Sequence, residues 1–313
     1  MKKLLAVLLA SLLCLSACAF AEDHYTVGIC QLVQHVALDA ATQGFQDALK
    51  AKLGDQVTFD VKNASGDSNT CSTIANSFVS DNVDLIMANA TPALQAAVAA
   101  TGDIPILGTS VTDYATALDI DDWTGATGMN VSGTSDLAPL DQQAAMLHEL
   151  FPEAKTVGLL YCSAEPNSKY QVDVIRGYLT DLGYTCTDYT FADSNDVASV
   201  AQNACDGCDV IYIPTDNTAA SCTEAIRNVV EPAMKPVIAG EEGICAGCGV
   251  ATLSISYYDL GYATGEMAYE VLVNGADIAA LAVRFAPNVT KEYNAELCTL
   301  LGISVPEGYV AIQ

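Results

Sequence analysis

A strand-like run beginning Val-Gly, then a short polar loop, then an amphipathic helix, occurs twice in this chain about one domain apart. The first copy is Val27-Gly28-Ile29-Cys30, the loop from Gln31 to His35, and a helix with Leu38, Ala41, Phe45, Ala48 and Leu49 on one face. The second is Val157-Gly158-Leu159-Leu160-Tyr161, a loop through Glu165-Pro166-Asn167-Ser168, then Val172, Ile175, Leu179 and Leu182. A short apolar run followed by stripes at i, i+3 and i+7 spacing is how a βα unit of an open parallel sheet reads. The chain therefore predicts an α/β protein of two doubly wound parallel-sheet domains. Each sheet presents polar loops at the carboxyl ends of its strands, so two facing domains would enclose a cleft.

Elements can be placed from the same signals. In the first half, strands fit 57–61, 83–87, 104–107 and 126–129, with helices at 70–80 and 92–100. In the second half, strands fit 156–161, 185–191, 209–213, 237–239 and 250–254, with helices at 137–150, 169–182, 196–204 and 219–230. A long helix over 257–273 and an apolar strand over 282–285 follow after the second domain has its five strands. The late helix is expected to return to the first domain, giving a first lobe of 24–131 plus 255–282 and a second of 132–254 plus 283–313. Crossings near Val131, Ile255 and Ala282 would form a three-crossing hinge rather than a linker, since no Pro/Ser-rich spacer is present.

Residues 1–21 read as an export signal, with Lys2 and Lys3 before the apolar run 4–15. Two processing sites overlap. Leu15-Ser16-Ala17-Cys18 matches a lipoprotein box, which would make Cys18 the lipidated first residue, and Ala19-Phe20-Ala21 has the ordinary A-x-A form. The box is favoured because it matches at every position, and either route places the mature protein outside the cytoplasmic membrane. The formal charge of −26 repels phosphate backbones and excludes nucleic acid as a partner.

Catalytic motifs are absent: no G-x-G-x-x-G, Walker loop, G-x-S-x-G elbow or H-E-x-x-H occurs. Neither an enzymatic reaction nor a cofactor is expected. Of the three histidines, His148 lies in a helix and reads as structural, whereas His35 lies in a cleft-facing loop. Twelve cysteines are many for such a chain. Cys205-Asp-Gly-Cys208 and Cys245-Ala-Gly-Cys248 each come just before a strand, away from the helix N-termini that lower a thiol's pKa. They read as structural thiols or disulfides, with a four-thiolate zinc site or redox work as the alternatives. Cys30 and Cys71 fall near carboxyl ends of first-domain strands, close enough in that topology to pair.

The residues directly after the strands carry the binding expectation. In the first domain they are Gln34 and His35, Asn89 and Thr91, and Ser110, Thr112 and Asp113. In the second they are Asn167 and Ser168, Asp216 and Asn217, and Glu241 and Glu242. Hydroxyls and helix-start N–H groups suit a carboxylate, and Asp216, Glu241 and Glu242 suit an ammonium, with Asp216 the first choice. Tyr161 and Tyr257, near strand ends, are the candidates for an aromatic wall, and Tyr212 reads as core. A zwitterionic small molecule is the natural match.

Val27-Gly28-Ile29 with His35 and Gly44-Phe45, Ser110-Val111-Thr112-Asp113, Asn130-Val131-Ser132-Gly133 with Ser135-Asp136, Pro214-Thr215-Asp216-Asn217, and Tyr257-Tyr258-Asp259-Leu260-Gly261 with Thr264-Gly265 together resemble one family. It is that of ABC-transporter substrate-binding proteins, including tryptophan- and tyrosine-type uptake lipoproteins, with a type I periplasmic-binding-protein fold. The resemblance implies a monomer that holds an amino acid, often aromatic, between two lobes and delivers it to a membrane permease. Val36 stands where that family usually has proline, and Gly240-Glu241-Glu242-Gly243 replaces a Ser-Asp-containing loop, which leaves the particular amino acid open. The rival readings are a ligand sensor that presents its closed form to a signalling receptor, and an extracytoplasmic enzyme working in the same cleft.

Overall fold

The computed structural model describes residues 24–286 and 288–312, so the expected signal segment and Cys18 lie outside the described residues. The first lobe opens with β1 (Tyr25–Gln31), α1 (Val36–Leu53), β2 (Val57–Asn63) and α2 (Ser68–Asp81). It continues through β3 (Leu85–Asn89), α3 (Thr91–Ala100), β4 (Ile106–Val111), the short α4 (Tyr114–Leu118) and β5 (Val131–Ser135). The second lobe holds α5 (Leu140–Leu150), β6 (Thr156–Cys162), α6 (Pro166–Asp181), β7 (Thr185–Phe191), α7 (Val197–Gly207) and β8 (Val210–Ile213). After these come α8 (Asn217–Ser221), α9 (Thr223–Val230), β9 (Val237–Ala239), α10 (Glu242–Cys248) and β10 (Ala251–Ser254). The chain then makes α11 (Tyr257–Leu272), β11 (Arg284–Phe285), β12 (Thr290–Tyr293), α12 (Ala295–Leu301) and β13 (Val310–Ala311).

These strands form two sheets, ordered β11-β5-β4-β3-β1-β2 and β13-β12-β10-β9-β8-β6-β7. Parallel pairing prevails, and β12 runs antiparallel to β10. Central strands buried on both faces are continuous, as β3, β4, β8 and β9 show, whereas the edge strands β2 and β7 keep exposed positions. Each sheet is covered on both faces, which splits its core into separate clusters. Tyr212 lies in the second-lobe core, donating its hydroxyl to Gln143 Oε1 at 2.6 Å.

β7 and β9 fall on the expected residues, but the strand expected over 126–129 is a turn, and β5 begins at Val131. Gly125 and Gly128 take left-handed φ of 95° and 71° there, which breaks an extended run. β5 itself reads Val-Ser-Gly-Thr-Ser, too polar to announce a buried strand. Its hydroxyls are satisfied locally: Thr134 bonds Thr264 at 2.8 Å and Thr109 at 3.2 Å, Ser132 donates to Leu281 O, and Ser135 donates to Thr112 O. Because β5 and β11 belong to the first sheet, the chain crosses between lobes after Ser135 and after Phe285, a few residues beyond the expected Val131 and Ala282. Residues 255–256 join β10 of the second sheet to α11. Helix α10, β12, α12 and β13 were not anticipated.

Helix α11 does return to the first lobe, and it packs on α1 at backbone contact. A Cβ on Gly261 would sit 1.9 Å from Ala41 O, one on Gly265 2.6 Å from Phe45 O, and one on Gly44 2.1 Å from Tyr258 O. Three glycines on facing ridges thus allow two helices to approach more closely than side chains permit. Gly261→Ala is expected to destabilise the protein by about 1–3 kcal/mol through overpacking, measured by urea unfolding. Gly102→Ala, where a Cβ meets nothing within 4 Å, is the control and should change stability little.

Candidate functional site

The carboxyl ends of both sheets face each other, and their loops meet between the lobes. From the first lobe, His35 Nε2 lies 3.3 Å from Asn217 Oδ1 of the second. Thr112 Oγ1 accepts from Gln171 Nε2 at 3.4 Å, also across the gap. Thr91 and Asp113 share a crevice with Pro166, Asn167 and Tyr170. Two of the turns that aim these groups are strained. Ala90 has φ 94° and Ser110 φ 54°, left-handed values that non-glycine residues adopt at some energetic expense and that gather at functional sites.

Several buried polar atoms here lack a hydrogen-bond partner among the described residues: Asn89 Oδ1, Thr91 Oγ1, Ser110 Oγ, Asp136 Oδ1, Asn167 Oδ1 and His35 Nδ1. All lie at or just beyond the carboxyl ends of strands, or in the first turn of the helix that follows, on the cleft side. An unsatisfied buried polar atom costs about 1–3 kcal/mol, so six in one region are a poor arrangement for stability and a good one for receiving a polar ligand. Their neighbours are firmly held. Asn89 donates to Leu38 O at 2.8 Å and to Thr42 Oγ1 at 3.0 Å, and Asn167 donates to Thr215 O at 3.1 Å.

Four carboxylates, Asp136, Glu165, Asp216 and Glu241, are buried in or beside this region, and no lysine or arginine is buried among the described residues. Three of the four have both oxygens engaged. Glu165 accepts from the backbone and side chains of Asn217 and Thr218 and from Asn167 Nδ2. Asp216 caps α8, taking the Ala219 N–H at 2.8 Å and, with its other oxygen, the Cys162 N–H at 2.7 Å. Glu241 caps α10 by accepting from Gly243 N at 2.7 Å and Ile244 N at 2.5 Å. Asp136 is different. Its Oδ2 accepts from the Tyr257 hydroxyl at 3.0 Å, while its Oδ1 has no partner.

Burial sets the protonation of these groups. It lifts Asp136 from the usual carboxylate range to about 6, against the opposing effect of the Tyr257 hydrogen bond and the nearby Thr112 hydroxyl. Burial likewise pushes Glu241 up to about 7, and raises Asp216 with help from the neighbouring charge of Glu165. His35 is lowered by burial, so its ring is favoured in the neutral form.

The expected site residues divide by position. His35, Asn89, Thr91, Ser110, Thr112, Asp113, Asn167, Ser168, Asp216, Asn217, Glu241 and Tyr257 come together at the interlobe loops, although Asp113 and Asp216 use side-chain oxygens as helix caps. Gln34 is exposed in a shallow hollow with Gln31, Asp39 and Gln43. Tyr161 points into the second-lobe core instead of the cleft, because the pleat alternates and its neighbours in β6 take the other face. Glu242 is exposed and lines a hollow of about 210 Å³ with Val36, Ala40, Ser256 and Glu292, which Glu241 and Tyr257 also border. Asp136, Glu165 and Gln171 are not among the expected site residues, although Asp136 directly follows β5 and Glu165 precedes the helix-starting Pro166. His148 is structural as expected, stacking edge-on against Tyr184, whose hydroxyl lies 2.9 Å from its Nδ1.

The C-x-x-C pairs end helices on the far side of the second sheet from the cleft. Cys208 and Cys248 hydrogen-bond to the carbonyls of Ala204 and Ile244, four residues back, and burial pushes the Cys208 thiol up to about 11. No group of three or more His, Cys, Asp or Glu side chains among the described residues is arranged to hold a metal ion.

Residues 26–311 match the family model described as ABC transporter substrate binding protein. The chain is 39% identical, over 254 residues, to a tyrosine-binding protein of Clostridioides difficile, covering 80% of this chain and 73% of the relative. Its fold matches an ABC domain in complex with L-Trp from Streptococcus pneumoniae with a TM-score of 0.88 at 33% identity, over 93% of this chain and 100% of that one. A ligand-free, open substrate-binding protein with adhesive properties from Clostridium difficile, although 37% identical over 92% of this chain and 99% of its own, superposes with a TM-score of only 0.69. In this structure the two lobes touch across the gap through His35 with Asn217 and Thr112 with Gln171.

The partners of Asp216 define a test. An amide in place of the carboxylate turns one acceptor into a donor facing a backbone N–H, so Asp216→Asn is expected to lose about 1–3 kcal/mol of folding stability with ligand affinity nearly intact. Denaturant unfolding and calorimetric titration read the two effects separately. A large loss of affinity at unchanged stability would place Asp216 on the ligand.

Proposed function

The chain belongs to the ABC transporter substrate-binding protein family, and on that premise we propose that it captures a zwitterionic aromatic amino acid between its lobes for delivery to a membrane permease. The observation that carries the reading is Asp136, the one buried carboxylate of the cleft among the described residues whose second oxygen has no hydrogen-bond partner. It is assigned to the ligand's ammonium. The hydroxyls of Thr91 and Ser110 and the amides of Asn89 and Asn167 supply the remaining polar contacts, and the relatives' tyrosine and tryptophan ligands support an aromatic side chain. Binding would draw on both lobes at once, so ligand stabilises the closed state by its differential affinity for it. No covalent step is part of the reading. Members of this family serve outside the cytoplasmic membrane; attachment there through a lipid on Cys18, and action as a monomer, are further parts of the proposal, the first resting on the Leu15-Ser16-Ala17-Cys18 box.

A thermal-shift panel of the common amino acids tests the ligand class, since a ligand that binds only the folded state raises the melting temperature by mass action. Tyrosine or tryptophan should give the largest shift, and a shift with a sugar or nucleoside but with no amino acid would defeat the proposal.

Asp136 makes the reading pH-dependent in a defined sense. Its folded-state pKa is raised to about 6, so in the ligand-free protein its contribution to stability is full below the unfolded value near 4 and is lost as pH rises towards 6. An ammonium ligand requires the carboxylate, hence affinity should weaken by up to about tenfold per pH unit below 6 as the ligand competes with a proton. Asp136→Asn keeps the acceptor for Tyr257 but removes the charge. It is expected to reduce affinity by about 2–5 kcal/mol and to abolish the component of the pH dependence centred near 6, with any remainder belonging to the adjacent Glu241. Titration calorimetry between pH 5 and 8 on both proteins provides the measurement, and unchanged affinity in the variant would remove Asp136 from the site.

A further inference from the structure

Ten cysteines fall among the described residues, and their sulfurs are not equivalent. Cys162, Cys208, Cys248 and Cys298 each donate to a backbone carbonyl, those of Ala192, Ala204, Ile244 and Val250. Cys30 and Cys71 instead neighbour one another within a single core cluster. Cys30 lies in β1, in register with Ala88 and Lys62, and Cys71 lies one turn into α2, which packs over that strand. Both are fully buried in the same apolar cluster with Phe78 and Leu32.

What surrounds the pair is the cleft itself. Immediately after Cys30 the chain enters the segment Leu32–Val33, and immediately before Cys71 it leaves Ser65–Ser68. The two segments are pinned by Ala64 N to Gln31 O at 2.9 Å and Gly66 N to Leu32 O at 2.8 Å. Together they line one wall of an interlobe cavity of about 210 Å³, opposite Glu165 and Thr218 of the second lobe. A protein of this family works in an extracytoplasmic compartment, where disulfides form and persist.

We propose that Cys30 and Cys71 are joined by a disulfide in the exported protein, a covalent tie between the strand and the helix that carry this wall of the cleft. The chemistry is thiol–disulfide exchange with an external disulfide, whether of a protein or a small molecule. The Cys71 thiolate attacks one sulfur of that oxidant, forming a mixed disulfide and expelling the first thiolate. Cys30, after giving up its proton, attacks the Cys71 sulfur, closing the bond and expelling the second. The two protein thiols lose two electrons and two protons, and the oxidant's disulfide is reduced to two thiols. The order in which the two protein thiols react does not alter the product. Because both sulfurs are enclosed in the folded lobe, the exchange precedes closure of α2 over β1. The C-x-x-C pairs stand at helix C-termini, and the second sulfur of each, Cys208 and Cys248, is turned to a carbonyl.

The test uses the full chain exported by a bacterial host, with free thiols alkylated under denaturing conditions before any reductant is added. Proteolysis and mass spectrometry should then yield the peptides of Cys30 and Cys71 as one species, lighter by two hydrogens than their sum and split by reductant. Recovery of both cysteines as alkylated peptides, or of either one bonded to a different cysteine, would overturn the proposal. Reductant should also lower the melting temperature of the wild type by several degrees, while the double variant Cys30→Ala, Cys71→Ala should show no such dependence. A wild type insensitive to reductant would refute the structural tie, and the peptide mapping decides the matter even where the double variant fails to fold.

Discussion

The contact between α1 and α11 at backbone distance is the constraint from which the rest of the architecture follows. Gly44, Gly261 and Gly265 let two helices meet where a single Cβ would collide with a carbonyl oxygen. This fastens to the first lobe a helix that the chain reaches only after building most of the second. The start of α11 is therefore fixed relative to β5, and Tyr257 in its first turn stands beside Asp136. Thr264, farther along the same helix, bonds to Thr134 in the strand that leads to Asp136. Two of the three crossings between lobes thus share one rigid unit, and the most distinctive polar group of the cleft hangs from it.

The buried carboxylates show how one chemical group serves two ends. Glu165, Asp216 and Glu241 spend all their acceptor capacity on helix-start N–H groups and neighbouring amides. There they close loops and keep strand ends in register. These hydrogen bonds offset only part of the burial cost, which still raises Glu241 and Asp216. Asp136 holds a single hydroxyl and keeps one oxygen unpaired in the same low-dielectric surroundings, so its charged form is held at a disadvantage that an incoming cation removes. Sorting acidic residues by how many acceptor positions are filled separates scaffold from site more sharply than sorting them by burial, which is nearly the same for all four.

The sequence pattern disclosed the two-lobed α/β plan, the return of the late helix and most loops of the cleft, because apolar periodicity and strand-end position survive in one dimension. It failed where burial is polar. β5 carries serine and threonine on a strand enclosed on both faces, and its satisfaction depends on Thr109, Thr264 and Leu281, which only the folded chain brings near. Asp136 is missing from the expected site residues for the same reason, as it follows a strand that had been placed elsewhere. Asp216 and Tyr161 show the converse limit. Position after or at the end of a strand located them correctly along the chain, but a cap bond and the pleat decide which way each side chain turns. For Asp216 the Asp-Asn pair at a helix start already carried the capping signal that the structure displays.

The interleaving of the lobes bears on how such a chain is made. The first sheet takes its last strand from 284–285, and its covering helix α11 is also encoded behind β10 of the second lobe. The second sheet in turn is completed by β12 and β13, near the carboxyl end. Neither lobe possesses all its parts until almost the whole chain is available, so no amino-terminal fragment can settle into a finished domain during synthesis. The order of the segments thus postpones stable structure until nearly the whole chain is available, and it does so through topology alone.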